Sequence, residues 1–311
     1  MGIEPFARER CNLCGECFHR CPVLSLPLEE AAEEMEKLLR GEISRVLRDC
    51  TSCMACNLFC PQDARPANLI LNRWHEIWRE KGLPLYARYF LPHARPNFRT
   101  DVLARLPPRE RSAVAEWGKM EPAPEFLYSG CNLLMVPHLT FSRLFQGVEI
   151  RGGLDYCCGE MLFRMGLYEQ VEQVAARLTL WFRRLGARRV YVLCTACFNM
   201  LTNVLPRFGA DFSGIEFHHY FGVILEGLRK GKFGPVHPLG WRVTVQDSCH
   251  SRLLGSDFAE IPRQILDIIG VEVEEAPHRN RAQGAVGFSR QGNAPLTPAF
   301  PCVKLSHGDV R

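Results

Sequence analysis

The feature that most constrains this chain is one cysteine spacing that occurs twice near its start. The first copy reads Cys11-x2-Cys14-x2-Cys17-x3-Cys21-Pro22, and the second Cys50-x2-Cys53-x2-Cys56-x3-Cys60-Pro61. Thiolates two residues apart on a compact loop can reach three irons of one cube, and loop amides can turn toward its sulfides. The fourth cysteine, followed by proline, opens a helix leading toward the other copy. This is the spacing of two-cluster bacterial ferredoxins, where the fourth cysteine ligates the other cluster. It predicts two [4Fe-4S] clusters, one on Cys11, Cys14, Cys17 and Cys60, the other on Cys50, Cys53, Cys56 and Cys21. A zinc ribbon needs only paired Cys-x2-Cys units, without the third step or the Cys-Pro end. Gly15 and the small Ala55 suit loops that pass close to a cluster.

Disulfides fit less well. The chain has 15 cysteines, an odd number. Its start, MGIEPFARER, shows no apolar stretch behind a basic segment, so no secretory leader is expected. No run of 18 or more apolar residues is present either, so no membrane-spanning helix is expected. Unexported thiols stay reduced, and dense cysteine clusters then read as metal sites. The expected location is the cytoplasm, with attachment to the inner membrane face only through a partner. The formal charge of +4 invites a nucleic-acid reading. Each thiolate-ligated cube carries formally about two negative charges, so two cubes cancel that excess. The basic residues are also scattered, and no nucleic-acid partner is expected.

At 311 residues, 47% hydrophobic and 23% charged, the chain has the length and balance of two globular domains. Residues 1–83 hold the two cysteine runs, joined by a helix expected over Leu28–Arg40. A second helix is expected from Pro66 to Gly82, with Leu69, Ile70, Trp74, Ile77 and Trp78 at helical spacing. Residues 84–124 carry Pro84, Pro92, Pro96, Pro107, Pro108, Pro122 and Pro124, and read as a linker or a wrapped, irregular segment. From Glu125 onward strands and helices alternate. Strands are expected at Phe126–Tyr128, Arg189–Leu193, Ile215–Tyr220, Trp241–Val245 and Val271–Glu275. One long amphipathic helix is expected from Leu162 to Leu185. The overall class is α+β: a helical ferredoxin-like part followed by an α/β part.

A second constellation comprises Cys131, Cys157-Cys158-Gly159 and Cys194-x2-Cys197. Each set sits where a strand ends or a helix begins, the edge at which open α/β sheets bind ligands. Helix N-termini there offer free amides to an anionic group. Adjacent cysteines can also be two buried small hydrophobes, and a single Cys-x2-Cys can be a redox pair or half a zinc site. His218 and His219 could serve as ligands, but they lie on an expected strand before a helix and read as an ordinary polar edge or core pair. No GxGxxG, P-loop or GxSxG occurs in the right context, so neither NAD nor flavin is expected on this chain.

The segments SGC at 129–131, YCCGE at 156–160, LCTACFNML at 193–201, VQDSCHSRLLG at 245–255 and RQILDIIGVEVEEAPHRNRAQ at 263–283 carry a resemblance. They resemble the cysteine-rich CCG domains of heterodisulfide reductases and of the iron–sulfur subunits of glycolate oxidase, anaerobic glycerol-3-phosphate dehydrogenase and lactate-utilisation systems. With the ferredoxin-like run in front, the order resembles the heterodisulfide reductase polypeptide in which ferredoxin-like and CCG parts are fused. The resemblance implies a noncubane iron–sulfur cluster on Cys131, Cys157, Cys158, Cys194 and Cys197. It also implies a flavoprotein dehydrogenase or heterodisulfide reductase-type subunit as partner, with a membrane-associated acceptor reached through that partner. The stretch from Cys131 to Cys157 is short for the family.

The sequence departs from the two-motif reductases toward its end. Cys249, in DSCHSR, begins a second motif after a strand, but Ala285-Val286-Gly287 stands where CysCysGly belongs. Cys302 follows without a Cys-x2-Cys partner and reads as structural or incidental. The expected domains are therefore 1–83, a linker 84–124, a complete CCG domain 125–235, and a degenerate or truncated second CCG domain 236–311. A frameshift is the competing origin of that second domain. The expected function is an electron-transfer subunit of an oxidoreductase complex. A catalytic disulfide or heterodisulfide reductase subunit is the alternative, weakened by the single complete motif.

Overall fold

Left-handed backbone at matched positions shapes both N-terminal cysteine loops. Leu13 (φ 61°) and Gly15 (φ 76°) adopt it in the first, Ser52 (φ 52°) and Met54 (φ 61°) in the second. Alternating hand turns successive N–H groups to one side, forming an anion-binding concavity. Non-glycine residues so held cost about 1–3 kcal/mol each, which the surrounding packing must offset. Met54 is the counterpart of Gly15, whereas Ala55 begins the following helix. At Gly15 a side chain is excluded outright, since a Cβ would lie 2.6 Å from the carbonyl oxygen of Leu28.

The structure, a computed structural model, describes residues 5–234, 236–275 and 303–305. It divides into two units, Met1–Ile77 with Val236–Arg311, and Trp78–Pro235. In the first, helices α1 (Glu16–His19) and α4 (Ala55–Phe59) follow the two cysteine loops. Between them run α2 (Leu28–Arg40) and the short α3 (Arg45–Asp49). Helix α2 buries Ala31, Met35 and Leu38 and ends at Gly41 in the left-handed conformation. It also buries Glu34, which accepts hydrogen bonds from Lys37 Nζ (2.6 Å), Ser44 Oγ (2.7 Å) and Arg45 N (2.7 Å). Burial alone would raise this carboxyl, but those three donors outweigh it and hold Glu34 below the usual range. The spacer helix is thereby stapled to the entry of the second cysteine loop. Helix α5 (Pro66–Lys81) starts with Asn57 Oδ1 accepting from Ala67 N (2.8 Å). Its Arg73 donates to the carbonyls of Leu38 and Leu39, closing the end of α2.

In the second unit four strands form one parallel sheet in the order β2-β1-β3-β4: β1 (Glu125–Tyr128), β2 (Ile150–Arg151), β3 (Arg189–Val192) and β4 (Glu216–His219). The periodic run from Leu162 to Leu185 is two helices, α8 (Glu160–Arg164) and α9 (Tyr168–Leu185). Gly166, with φ 72°, breaks them apart. Helix α9 buries Val171, Val174, Leu178, Trp181 and Phe182, and the two aromatic rings pack on Phe126 and Tyr128 of β1. The sheet is followed by α10 (Thr195–Asn199) after β3 and α11 (Tyr220–Arg229) after β4.

The stretch expected as a linker folds into a 3-10 turn at Leu85–Phe90 and two helices, α6 (Phe98–Ala104) and α7 (Pro108–Trp117). Three of its prolines sit where helices accept them. Pro84 and Pro107 precede first turns and Pro108 occupies one. Asn97 and Thr100 form a reciprocal capping box on α6. Proline density here marks helix starts as well as irregular chain, since Pro92, Pro96, Pro122 and Pro124 lie outside the helices.

In the C-terminal part of the first unit, β5 (Arg242–Val245) leads to α12 (Cys249–Leu254) and α13 (Ser256–Ile268), and returns as β6 (Glu272–Val273), parallel to β5. Strand β7 (Val303–Leu305) pairs antiparallel with β5. Ala285, Val286, Gly287 and Cys302 lie outside the described residues. Among the described residues no helix is long and apolar enough to cross a membrane.

Arg263 ties this segment together. It forks onto Asp247 (2.9 and 3.0 Å) and reaches Glu275 (2.6 and 3.0 Å). The Arg263 and Asp247 side chains are 8% and 5% exposed. Removing one partner from a buried pair strands the other charge, at a cost of about 3–5 kcal/mol. Arg263→Met, which strands the buried Asp247 carboxylate, is expected to destabilise the segment by that order in a urea titration. An unchanged midpoint would contradict the buried pairing.

Candidate metal centres

Eight thiols crowd around two spaces in the first unit, Cys17 and Cys56 buried and the other six half-buried. Cys11, Cys14, Cys17 and Cys60 line a cavity of about 310 Å³ with Phe6, Leu13, Met35 and Ala64. Cys21, Cys50, Cys53 and Cys56 line another of about 420 Å³ with Phe18, Leu24, Ile70 and Leu71. Each cavity takes three cysteines from one run and the fourth from the other. The backbone addresses some of the sulfurs directly: Ser52 N–H donates to Cys50 Sγ and Ala64 N–H to Cys60 Sγ, both at 3.3 Å.

Burial, with Cys60, Cys11 and Cys14 around it, pushes the Cys17 thiol up. Cys56 is raised likewise by burial and by Cys50, Cys53, Cys17 and Cys21. Four thiolates in an apolar cavity repel one another and lack water. A cluster core of iron ions supplies the positive charge that deprotonates them. The donor set and the cavity therefore fit a thiolate-bound cube. Among the described residues no three His, Cys, Asp or Glu side chains are arranged to hold a single metal ion.

The five remaining thiols of the second unit meet at the carboxyl edge of its parallel sheet. Strand β1 delivers Ser129-Gly130-Cys131, the segment after β2 brings Cys157 and Cys158 to the start of α8, and β3 delivers Cys194 with Cys197 in α10. The sulfurs lie in one row, Cys131, Cys157, Cys158, Cys197 and Cys194, in which neighbours shift one another's proton affinity. Along it Cys158 is held low, at about 7, by Cys157 and then Cys197. Cys194 is lowered chiefly by Cys197, and the amides of Cys197 and Ala196 add to that. Cys197 is raised, first by Cys158 and then by Cys194 and burial. Two thiolate-leaning sulfurs thus sit beside thiols raised above the usual range. All but Cys194 are buried. Five soft sulfur donors in so small a space fit a thiolate-bound iron–sulfur centre.

Residues beside the row hold it tightly. Gly130 has φ 54°, and a Cβ there would lie 2.8 Å from Cys197 Sγ. Asn132 Nδ2 donates to Cys194 Sγ at 3.6 Å. The Tyr128 hydroxyl donates to the Tyr156 carbonyl, and the Tyr156 ring stacks on Trp181 with centroids 4.4 Å apart. Asn132 was readable as the residue after Cys131, whereas nothing in the sequence marked Tyr128. His219 caps α11 by accepting from Phe221 N (3.3 Å), and burial lowers it to about 4, so it is neutral. His218 lies exposed beside Glu216 at 3.4 Å. Cys249 opens α12 directly after β5, and Ser248 caps that helix.

Comparison with known proteins agrees with this division. Residues 6–61 match the 4Fe-4S dicluster domain, a match that spans all eight N-terminal cysteines. Residues 140–202 match the CCG cysteine-rich domain, a match that spans Cys157, Cys158, Cys194 and Cys197. The chain is similar to the EtfAB:quinone oxidoreductase of Syntrophomonas wolfei, 26% identical over 293 residues, covering 85% of this chain and 40% of the relative. It is also similar to the Bacillus subtilis protein named "Probable iron-sulfur-binding oxidoreductase FadF", 26% identical over 287 residues, covering 88% of this chain and 36% of the relative. The chain thus spans well under half the length of these curated relatives. No solved structure matches it.

The close approach at Gly130 gives a direct test. Gly130→Ala must move the Cys131 or Cys197 sulfur and strain a left-handed residue. After anaerobic reconstitution its iron content is expected to fall by the complement of the five-thiol site, with the absorbance of the N-terminal clusters retained. Wild-type iron content in this variant would contradict the packing.

Proposed function

We propose that this chain is the electron-transfer part of a larger oxidoreductase. It carries two [4Fe-4S] clusters on the N-terminal thiols and a noncubane cluster on Cys131, Cys157, Cys158, Cys194 and Cys197. The observation that carries the reading is the four-and-four division of eight thiols, each cavity drawing its fourth from the other run. In this reading Cys11, Cys14, Cys17 and Cys60 hold one cube, and Cys50, Cys53, Cys56 and Cys21 the other. Such clusters, when bound, take up and give back single electrons. The protein's own part is to fix the sulfurs, keep water away and set the energy of the charged states. Phe18, Leu24 and Leu71 line the larger cavity, and the Ser52 and Ala64 amides donate to sulfur. Fixed N–H···S bonds stabilise added negative charge and so raise the potential.

The substrate chemistry belongs, in this proposal, to partner polypeptides. A flavoprotein dehydrogenase or a heterodisulfide reductase-type subunit exchanges electrons with the chain, and a membrane-associated acceptor is reached through such a partner at the cytoplasmic face. The names of both relatives, as oxidoreductases, support this class. The segment from β5 through Cys249 and α12 is a reduced second CCG repeat. Its support is the strand–cysteine–helix order that β3, Cys194 and α10 also follow.

The exchange of fourth ligands makes a distinctive test. Anaerobically reconstituted wild-type chain is expected to hold about eight irons in the N-terminal sites, beyond those of the five-thiol site. Cys60→Ser should remove one cubane EPR signal. Adding Cys11→Ser should remove nothing further, whereas adding Cys21→Ser should remove the second cubane. Loss of both signals on combining Cys60→Ser with Cys11→Ser would overturn the crossed assignment, and about four irons or fewer in the wild type would overturn the function.

A further inference from the structure

Arg99 belongs to α6, in the stretch whose prolines suggested irregular chain, and it is 1% exposed. A buried guanidinium needs a counter-charge, because burial strips away the water that would otherwise stabilise it. Arg99 has no carboxylate partner among the described residues. Its Nη1 donates to the carbonyl of Phe90 at 2.9 Å, and its Nε is buried with no hydrogen-bond partner. The neighbouring Arg95, by contrast, pairs with Asp155 at 3.0 Å. What Arg99 does face is sulfur: its guanidinium is near enough to act electrostatically on the Cys131 thiol, and α6 contacts the turn that follows that cysteine.

The placement is built rather than incidental. Asn97, fully buried, accepts from the amides of Arg99 (2.9 Å) and Thr100 (3.1 Å), which fixes the first turn of α6. The Phe98 ring lies 4.3 Å from Arg99 Cζ. Helix α6 packs on the turn Leu133–Met135, which begins two residues after Cys131. The cation is thus anchored from both sides of the contact it makes.

We propose that Arg99 is a positioning residue for the five-thiol site, supplying the fixed positive charge that balances an anionic iron–sulfur cluster bound there. The proposal rests on the reading that such a cluster occupies these thiols. One-electron reduction adds a negative charge to the site and makes or breaks no bond. A cation held beside the site stabilises the reduced form more than the oxidised one. Removing it lowers the midpoint potential of that site alone.

The test is a redox titration of the full chain, reconstituted without oxygen, reduced with dithionite and followed by EPR and visible absorption. Cys158→Ser identifies the signal of the five-thiol site. In Arg99→Gln the midpoint of that signal is expected to fall by at least a tenfold change in the reduction equilibrium, 59 mV for one electron. Arg99→Lys, which keeps the charge, should recover part of the shift, and the cubane midpoints should not move. An unchanged midpoint in Arg99→Gln with full iron content would overturn the proposal. If Arg99→Gln fails to take up the cluster, restored iron in Arg99→Lys supports the role of charge. Restored iron in Arg99→Met instead would reduce the residue to packing and overturn it. Absence in the wild type of any signal that Cys158→Ser removes would refute the cluster reading itself.

Discussion

Thiolates brought together out of water repel one another, and the molecule repeatedly arranges that situation. Burial and neighbouring sulfurs raise Cys17 and Cys56 in the first unit and Cys131 and Cys197 in the second. Apolar walls make the repulsion worse, because little solvent remains to screen it. A protein gains nothing from such an arrangement unless a multiply charged centre binds there. The cost is then offset by metal–sulfur bonds, and the same dry surroundings that disfavour free thiolates protect the centre. The left-handed residues of the two loops, the buried Glu34 staple and the close approach at Gly130 all serve to keep sulfurs where they would not gather unaided.

The two units solve this problem by different means. In the first, each run is too short to surround a cube, so the helix after each loop carries its fourth cysteine to the other cavity. That crossing makes the two sites interdependent and explains why α2 is tied to the second loop. In the second, parallel strands do the gathering. Strands β1, β2 and β3 run the same way, so residues following each emerge at one edge. Cysteines separated by more than 60 positions of chain, Cys131 and Cys197, thereby join one row of interacting sulfurs.

Legibility followed the range of the interactions. Cluster ligation imposes local spacing, so the two cysteine runs spoke for themselves, as did the spacer helix Leu28–Arg40 with its dense Glu, Ala and Leu. Strands β1, β3 and β4 announced themselves through β-branched and aromatic residues, but β2 is two residues long, too short for any periodicity. The run from Leu162 to Leu185 kept helical spacing across Gly166, so the break depended on backbone hand rather than on hydrophobicity. The proline-rich stretch misled because proline both ends and begins helices, and only the Asn97–Thr100 capping pair distinguishes the cases. Arg99 had no sequence signal at all. A single arginine in a polar stretch reads as surface, and its burial beside Cys131 comes from tertiary packing alone.

The central claim is that these thiols bind iron and sulfide rather than zinc or one another. X-ray absorption on protein isolated without oxygen tests it most directly. The account predicts an iron edge with a sulfur shell and a second shell of iron neighbours, as bridged clusters require. A zinc edge with a single sulfur shell near 2.3 Å, or no metal edge at all, would contradict it.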